Sequence, residues 1–194
     1  QGLSCIDKVI ITSDDDEIHN LAEQLGADLF VKRPPELASD SAKSIDAWIH
    51  AWLEAENFFN QSFEISVLLE PTSPMRTTAD VEQAISMLLN NPAASSVATV
   101  SKTPGHYTPH KALQINTEGN ITPYLEDGTR YSIRQEIPDF YHRNGICYAV
   151  RRNSLIDNHN LMEHGCMPLI IKRHVVNIDE EIDLKIAEFL MANP

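Results

Sequence analysis

Three short polar segments are the places where this chain could do chemistry: Ser13-Asp14-Asp15, Glu70-Pro71-Thr72-Ser73 and Asn177-Ile178-Asp179. Each closes a run that reads as a β-strand, and in an open α/β sheet ligands bind at the carboxyl ends of strands. In the third segment two oxygen-bearing side chains lie one residue apart and can face one cation, which suits Mg2+ bridging phosphates. Asp179 also stands where a helix begins, so capping competes with metal binding for its carboxylate. Arg33, Lys43, Arg76, Lys111, Arg134, Arg143, Arg151 and Arg152 offer contacts to phosphates or carboxylates, or simply a solvated charged surface. The histidines do not make a metal site. His106 and His110 are four apart, but Pro104 and Pro109 exclude the helix that would align them.

The elements that must position these groups alternate. Asp7–Ser13 reads as a buried strand, followed by an acidic helix start at Asp14–Glu17 and a stop at Gly26. A short strand at Asp28–Val31 runs into Arg33-Pro34-Pro35, which cannot continue a helix. Ser41–Phe59 carries Ile45, Trp48, Ile49, Trp52 and Leu53 at helical spacing, and the two tryptophans are expected in the core or an interface. A strand at Glu64–Glu70, a helix over about Thr78–Asn90 and a strand at Ser95–Ser101 complete a βαβαβαβ series. That series predicts an α/β fold with a mostly parallel sheet covered by helices. Residues 102–143, with four prolines and a turn at Thr117–Asn120, read as a small antiparallel insertion or arm. Strands at Gly145–Arg151 and Pro168–Lys172 and a helix over about Glu180–Met191 follow. The domain reading is a core of 1–101 and 144–194 with an inserted arm at 102–143.

Composition excludes several functions. With 15 Lys+Arg against 28 Asp+Glu the net charge is −13, which argues against a nucleic-acid partner. No apolar run approaches the roughly 20 residues that span a bilayer, so no membrane partner is expected. The three cysteines, Cys5, Cys147 and Cys166, suit neither a disulfide framework nor a CxxC metal site, and a reducing cytoplasm is the expectation. The 7 glycines do not cluster, so no glycine-rich phosphate cradle is visible.

Four ordered segments nevertheless resemble one family. DKVIITSDDDEI, RPPELASDSAKSID, LLEPTSPMR, and RQEIPDFYHRNGICYAVRR followed by NIDEEIDLKIAE are similar to the acylneuraminate cytidylyltransferases. These enzymes activate sialic acid and related nonulosonates as CMP-sugars. The resemblance implies a Rossmann-like three-layer nucleotidyltransferase domain, mostly parallel, whose small arm exchanges across a homodimer. It implies a reaction of CTP with a 2-keto-sugar acid and Mg2+, giving a CMP-sugar and pyrophosphate. It places Arg33 and Ser44 at the nucleotide, and Leu68, Glu70, Asn144 and Tyr148 at the sugar. Lys111 and Arg134 fall on arm positions that reach the sugar or its carboxylate in the neighbouring subunit. Asn177 and Asp179 fall at the metal-binding pair, with Asp179 the catalytic carboxylate.

The chain departs from the pattern in ways that carry expectations. Asn177 stands where the family has a carboxylate, so the metal should bind more weakly. Glu70 replaces the usual Gln beside Pro-Thr-Ser-Pro and adds negative charge near an anionic substrate. Leu161 and Met162 lie where sialic-acid enzymes have aromatics around the N-acyl group. Together these point to a legionaminate- or pseudaminate-like sugar, or to an altered nucleotide choice. The family's first strand and basic, glycine-containing triphosphate loop are expected upstream of Gln1. Two other readings stand beside the enzyme: a catalytically incompetent relative that binds sugar or pairs with an active subunit, and a glycosyltransferase. Release of free pyrophosphate separates the last from a nucleotidyltransferase.

Overall fold

The computed structural model describes residues 3–126, 136–162 and 164–193. In chain order the elements are β1 (Ile10–Ser13), α1 (Asp16–Gln24), β2 (Leu29–Lys32), α2 (Pro35–Ala38), α3 (Ser44–Phe59), β3 (Ile65–Leu68), α4 (Thr78–Asn90), β4 (Ser96–Lys102), β5 (Leu113–Ile115), β6 (Ile121–Pro123), β7 (Tyr141–Arg151), β8 (Cys166–Ile170) and α5 (Glu181–Ala192). Apolar spacing accounts for the two covering helices. Ala47, Trp48, Ala51, Trp52 and Ala55 form the buried stripe of α3, and Val81, Ala84, Ile85 and Leu88 that of α4. Thr77 caps α4 in a reciprocal box with Asp80. One short element was not expected: Pro35, read as a break, instead opens α2 from its first helical position, where a missing N–H is no loss.

The main sheet has the order β3-β7-β4-β8, and β1 and β2 form a separate parallel pair. The sheet is mixed, which corrects the expectation of a mostly parallel one. β4 and β8 pair in parallel, whereas β7 runs antiparallel to both β3 and β4. The cause lies in the connection. Lys102 at the end of β4 pairs with Tyr141 at the start of β7, and Thr103 N–H donates to the Phe140 carbonyl at 2.8 Å. The two strands are therefore the stem of a long hairpin, and a hairpin reverses direction where a helical crossover does not. Within the excursion, β5 and β6 form the expected small antiparallel pair, with Leu113 opposite Pro123.

Both faces of the sheet are covered. On one side Cys147 and Ala149 of β7 join Val97, Leu169, Ala84 and Leu88 under α4. On the other, Tyr148 and Val150 join Trp48, Trp52, Ala98 and Leu155 under α3. This alternation explains why residues 146–150 of β7 read as an unbroken apolar run: each face has its own helix to meet. Trp48 also donates its indole N–H to Ser66 Oγ at 2.8 Å.

Cys147 shows how closed the α4 side is. Burial, with a smaller contribution from Asp80 and against the pull of Arg76, pushes its thiol up to about 12. Thiolate is the reactive form, so native protein should be alkylated at exposed Cys5 and not at Cys147. Peptide mapping after brief iodoacetamide treatment reads this directly; equal labelling of the two cysteines would refute the packing described.

Candidate active site

The loop after β3 is pinned from three sides. Ser73 N–H donates to the Glu70 carbonyl at 3.2 Å, closing a tight turn, and Ile178 N–H donates to the Thr72 carbonyl at 2.8 Å. The second bond lays the Asn177–Asp179 segment beside the end of β3. Fully buried Ser73 then reaches two ways, donating from Oγ to Asn177 Oδ1 at 3.0 Å and lying 3.5 Å from the Asn144 carbonyl.

The third wall is an irregularity in β7. Ala98 pairs with Tyr148 but Val100 pairs with Arg143, so β7 carries extra residues at 144–147. Such bulges recur beside active sites because they re-aim side chains. Here several groups of the bulge are held. Ile146 N–H donates to Asn144 Oδ1, Asn144 Nδ2 donates to Ser101 Oγ, and Thr99 Oγ1 both accepts from Cys147 N–H and donates to the Cys147 carbonyl. Gly145 takes φ +71°, and Ser73 Oγ, Asn177 Oδ1 and Glu70 Oε2 crowd the space where a Cβ would sit. Three oxygens thus converge on one glycine.

Two carboxylates face this corner. Among the described residues nothing donates a hydrogen bond to the Glu70 carboxyl. Burial pushes it above the usual carboxylate range; Arg143 and Arg76 oppose that shift, and Asp179 adds to it. Asp179 is not the helix cap. Glu180 occupies the cap of α5, and Asp183 accepts from the N–H groups of Glu180 at 2.9 Å and Asp179 at 3.1 Å. With capping done by others, the exposed Asp179 side chain has one hydrogen-bond partner among the described residues, Asn177 Nδ2 at 3.1 Å. Asn177 is held between Ser73 and Asp179, and the carboxylate fixes which way its amide points, since reversal would set oxygen against oxygen. As placed, Asn177 orients Asp179.

The other expected residues lie variously. Tyr148, 5 % exposed, packs its ring into the core under α3, where Leu68 sits opposite it in register. Asn144, also 5 % exposed, holds the bulge. Arg33 and Ser44 belong to the β1–β2 side and to the start of α3. Arg33 Nη2 donates to the Thr12 carbonyl at 2.8 Å, while its buried Nε has no partner among the described residues. Lys111 is exposed in a one-turn helix, Pro109–Lys111, of the arm. Arg134 lies outside the described residues. Of the residues that meet at this corner, Ser73 was expected only as part of a polar strand end and Arg143 only as one basic candidate among eight, and Gly145 was not expected there at all; a lone glycine in a strand pattern is the signal that marks such a bulge.

An oxygen-rich corner of this kind fits a hard divalent cation held mainly by a substrate's phosphates. No group of three His, Cys, Asp or Glu side chains is poised for a metal among the described residues. None of the described helices is long and apolar enough to cross a membrane.

Helices on both faces of a mixed sheet, with Glu70 just past the end of β3 and Asp179 in the segment laid beside it, make this an α/β fold with a polar corner at one sheet end. A solved structure of CMP:2-keto-3-deoxy-manno-octonic acid synthetase complexed with CTP superimposes with a TM-score of 0.67 at 16% identity, covering 98% of this chain and 83% of that one. The cytidylyltransferase family model matches residues 3–183, and the chain belongs to that family. It is 27% identical over 184 residues to the post-translational flagellin modification protein B of Campylobacter coli, covering 94% of this chain and 76% of that protein. It is also 27% identical over 185 residues to the CMP-N,N'-diacetyllegionaminic acid synthase of Campylobacter jejuni, covering 95% and 77%.

Proposed function

We propose that this cytidylyltransferase transfers CMP from CTP to the anomeric hydroxyl of a nonulosonic acid, a legionaminate- or pseudaminate-like 2-keto-sugar acid, and releases pyrophosphate. The observation that carries this reading is the Asp179 carboxylate: relieved of capping by Glu180 and Asp183 and oriented by Asn177, it is within electrostatic range of Glu70 at the end of β3. A structural aspartate would be used by its helix. The relative named as a CMP-N,N'-diacetyllegionaminic acid synthase supports the choice of sugar class.

In this reading Arg33 and Ser44 bind the nucleotide, while Glu70, Asn144 and the Leu68–Tyr148 wall shape the sugar site. Asn144 acts there through the bulge it holds. Arg143, exposed beside Glu70, offers a fork-shaped donor to a sugar carboxylate or a phosphate. Asp179 holds Mg2+, with Asn177 steadying it as a second-layer partner. When bound, Mg2+ neutralises charge on the phosphates of CTP. Positioning and charge neutralisation carry most of the catalysis in such a transfer. The arm at 102–143 supplies Lys111 and Arg134 to a second copy of the chain, making a homodimer. The protein works in the cytoplasm.

Incubation with CTP, Mg2+ and a panel of nonulosonic acids should release pyrophosphate with at least one of them. Absence of pyrophosphate with every sugar, under conditions where CTP binds, would remove the enzyme reading for this substrate class.

A further inference from the structure

Arg76 occupies an unusual place in the sheet. β3 pairs with β7 up to Leu68 opposite Tyr148. Carried on by two residues, that register would set Glu70 opposite Ile146, but the pairing stops. Arg76 stands there instead: Nη2 donates to the Glu70 carbonyl and Nε to the Ile146 carbonyl, each at 2.6 Å. One guanidinium thus spans both carbonyls across the broken ladder, one on each lip of the oxygen-lined corner, and shares the Glu70 carbonyl with Ser73 N–H. It is half-buried; burial draws its pKa down, with Cys147, Glu70 and Asp80 opposing. A planar fork with fixed donors can bridge two carbonyls in this way; an ammonium is a point donor and cannot hold both at fixed spacing.

We infer that Arg76 is a positioning residue: it wedges β3 apart from the β7 bulge and so fixes the Glu70 strand end against Gly145, the corner on which Asn177 and Asp179 are set. The inference rests on the function proposed above. A phosphate-binding role for Arg76 is not needed, since two of its three nitrogens are spent on the backbone.

The test pairs Arg76→Lys and Arg76→Ala in the full chain. Amide hydrogen exchange of the ligand-free proteins comes first. The bulge segment 144–147 should exchange faster in both variants, while α3 keeps wild-type protection. That result is independent of substrate, so it stands or falls apart from the proposed reaction. In turnover, Arg76→Ala should lose about 100-fold in kcat, the scale of an ångström's misplacement, with KM for CTP nearly unchanged. Guanidinium ion, at concentrations too low to denature, should restore part of the lost rate, whereas ammonium should not. Should Arg76→Ala fail to fold, Arg76→Lys carries the test, with a kcat loss of roughly tenfold for the hydrogen bond across the gap that an ammonium gives up. Wild-type exchange in the bulge, or wild-type kcat in Arg76→Lys, would overturn the inference. A wild-type protein inactive with every sugar, but with the exchange change present in the variants, would sink the reaction and leave the wedge standing.

Discussion

Asp179→Asn is expected to lower kcat about 1000-fold, because charge stabilisation of a transferring phosphoryl group by a metal is worth several kcal/mol and each 1.4 kcal/mol is about tenfold. The substitution keeps the shape of the side chain and removes its charge. It should leave the fold intact. Asp179 is exposed, the α5 cap belongs to Glu180 and Asp183, and a surface change away from such features typically shifts stability within about 0.5 kcal/mol. A thermal melt alongside pyrophosphate-release kinetics separates the two effects. The signature is a normal melt with lost turnover, and loss of Mn2+ binding, read by electron paramagnetic resonance with CTP present, should accompany it. If more than a tenth of kcat survives, Asp179 is not the metal-holding carboxylate.

How far this site could be read without coordinates depends on which residues carry local signals. Thr77 and Asp80 at a helix start, or Trp48 and Trp52 one turn apart, declare themselves, because capping and helical spacing are properties of a few neighbouring positions. The direction of β7 does not. It depends on whether an excursion of nearly forty residues closes as a hairpin stem, and nothing within β7 encodes that. Asp179 presents the same difficulty at smaller scale. Capping and metal binding are equally compatible with Asn-x-Asp before a helix. Only the folded helix start shows that Asp179 is not the cap, since Glu180 holds that position and the Asp183 carboxylate accepts from the N–H groups of Asp179 and Glu180. Arg76 was legible as one basic residue among eight. Its two carbonyl partners, one six residues away and the other seventy, exist only once β3 and β7 lie side by side.

Gly145→Ala tests the corner itself, and here the largest stability effect is expected. Two glycines with left-handed backbone make the comparison clean. Gly119, at φ +83° in the turn joining β5 and β6, would place a Cβ in open space, so Gly119→Ala carries only the backbone strain of a left-handed residue, about 1–2 kcal/mol. Gly145, at φ +71°, carries the same strain and in addition would drive a methyl group into Ser73 Oγ, within 2.9 Å of Asn177 Oδ1 and 3.2 Å of Glu70 Oε2. Ser73 is fully buried and cannot swing away without giving up Asn177. Overpacking of this kind costs a further 1–3 kcal/mol, approximately. At roughly 2–4 °C per kcal/mol for a chain of this size, the Gly145→Ala melt should fall several degrees below that of Gly119→Ala. Turnover should separate them further. Displacing Ser73 frees Asn177, Asn177 hydrogen-bonds Asp179, and a small misplacement of a phosphoryl-transfer group costs about 100-fold. Gly119→Ala should keep wild-type kcat. Equal melts and equal rates for the two variants would mean that the three oxygens around Gly145 can part freely, and the corner would then not be the rigid element that positions Asp179.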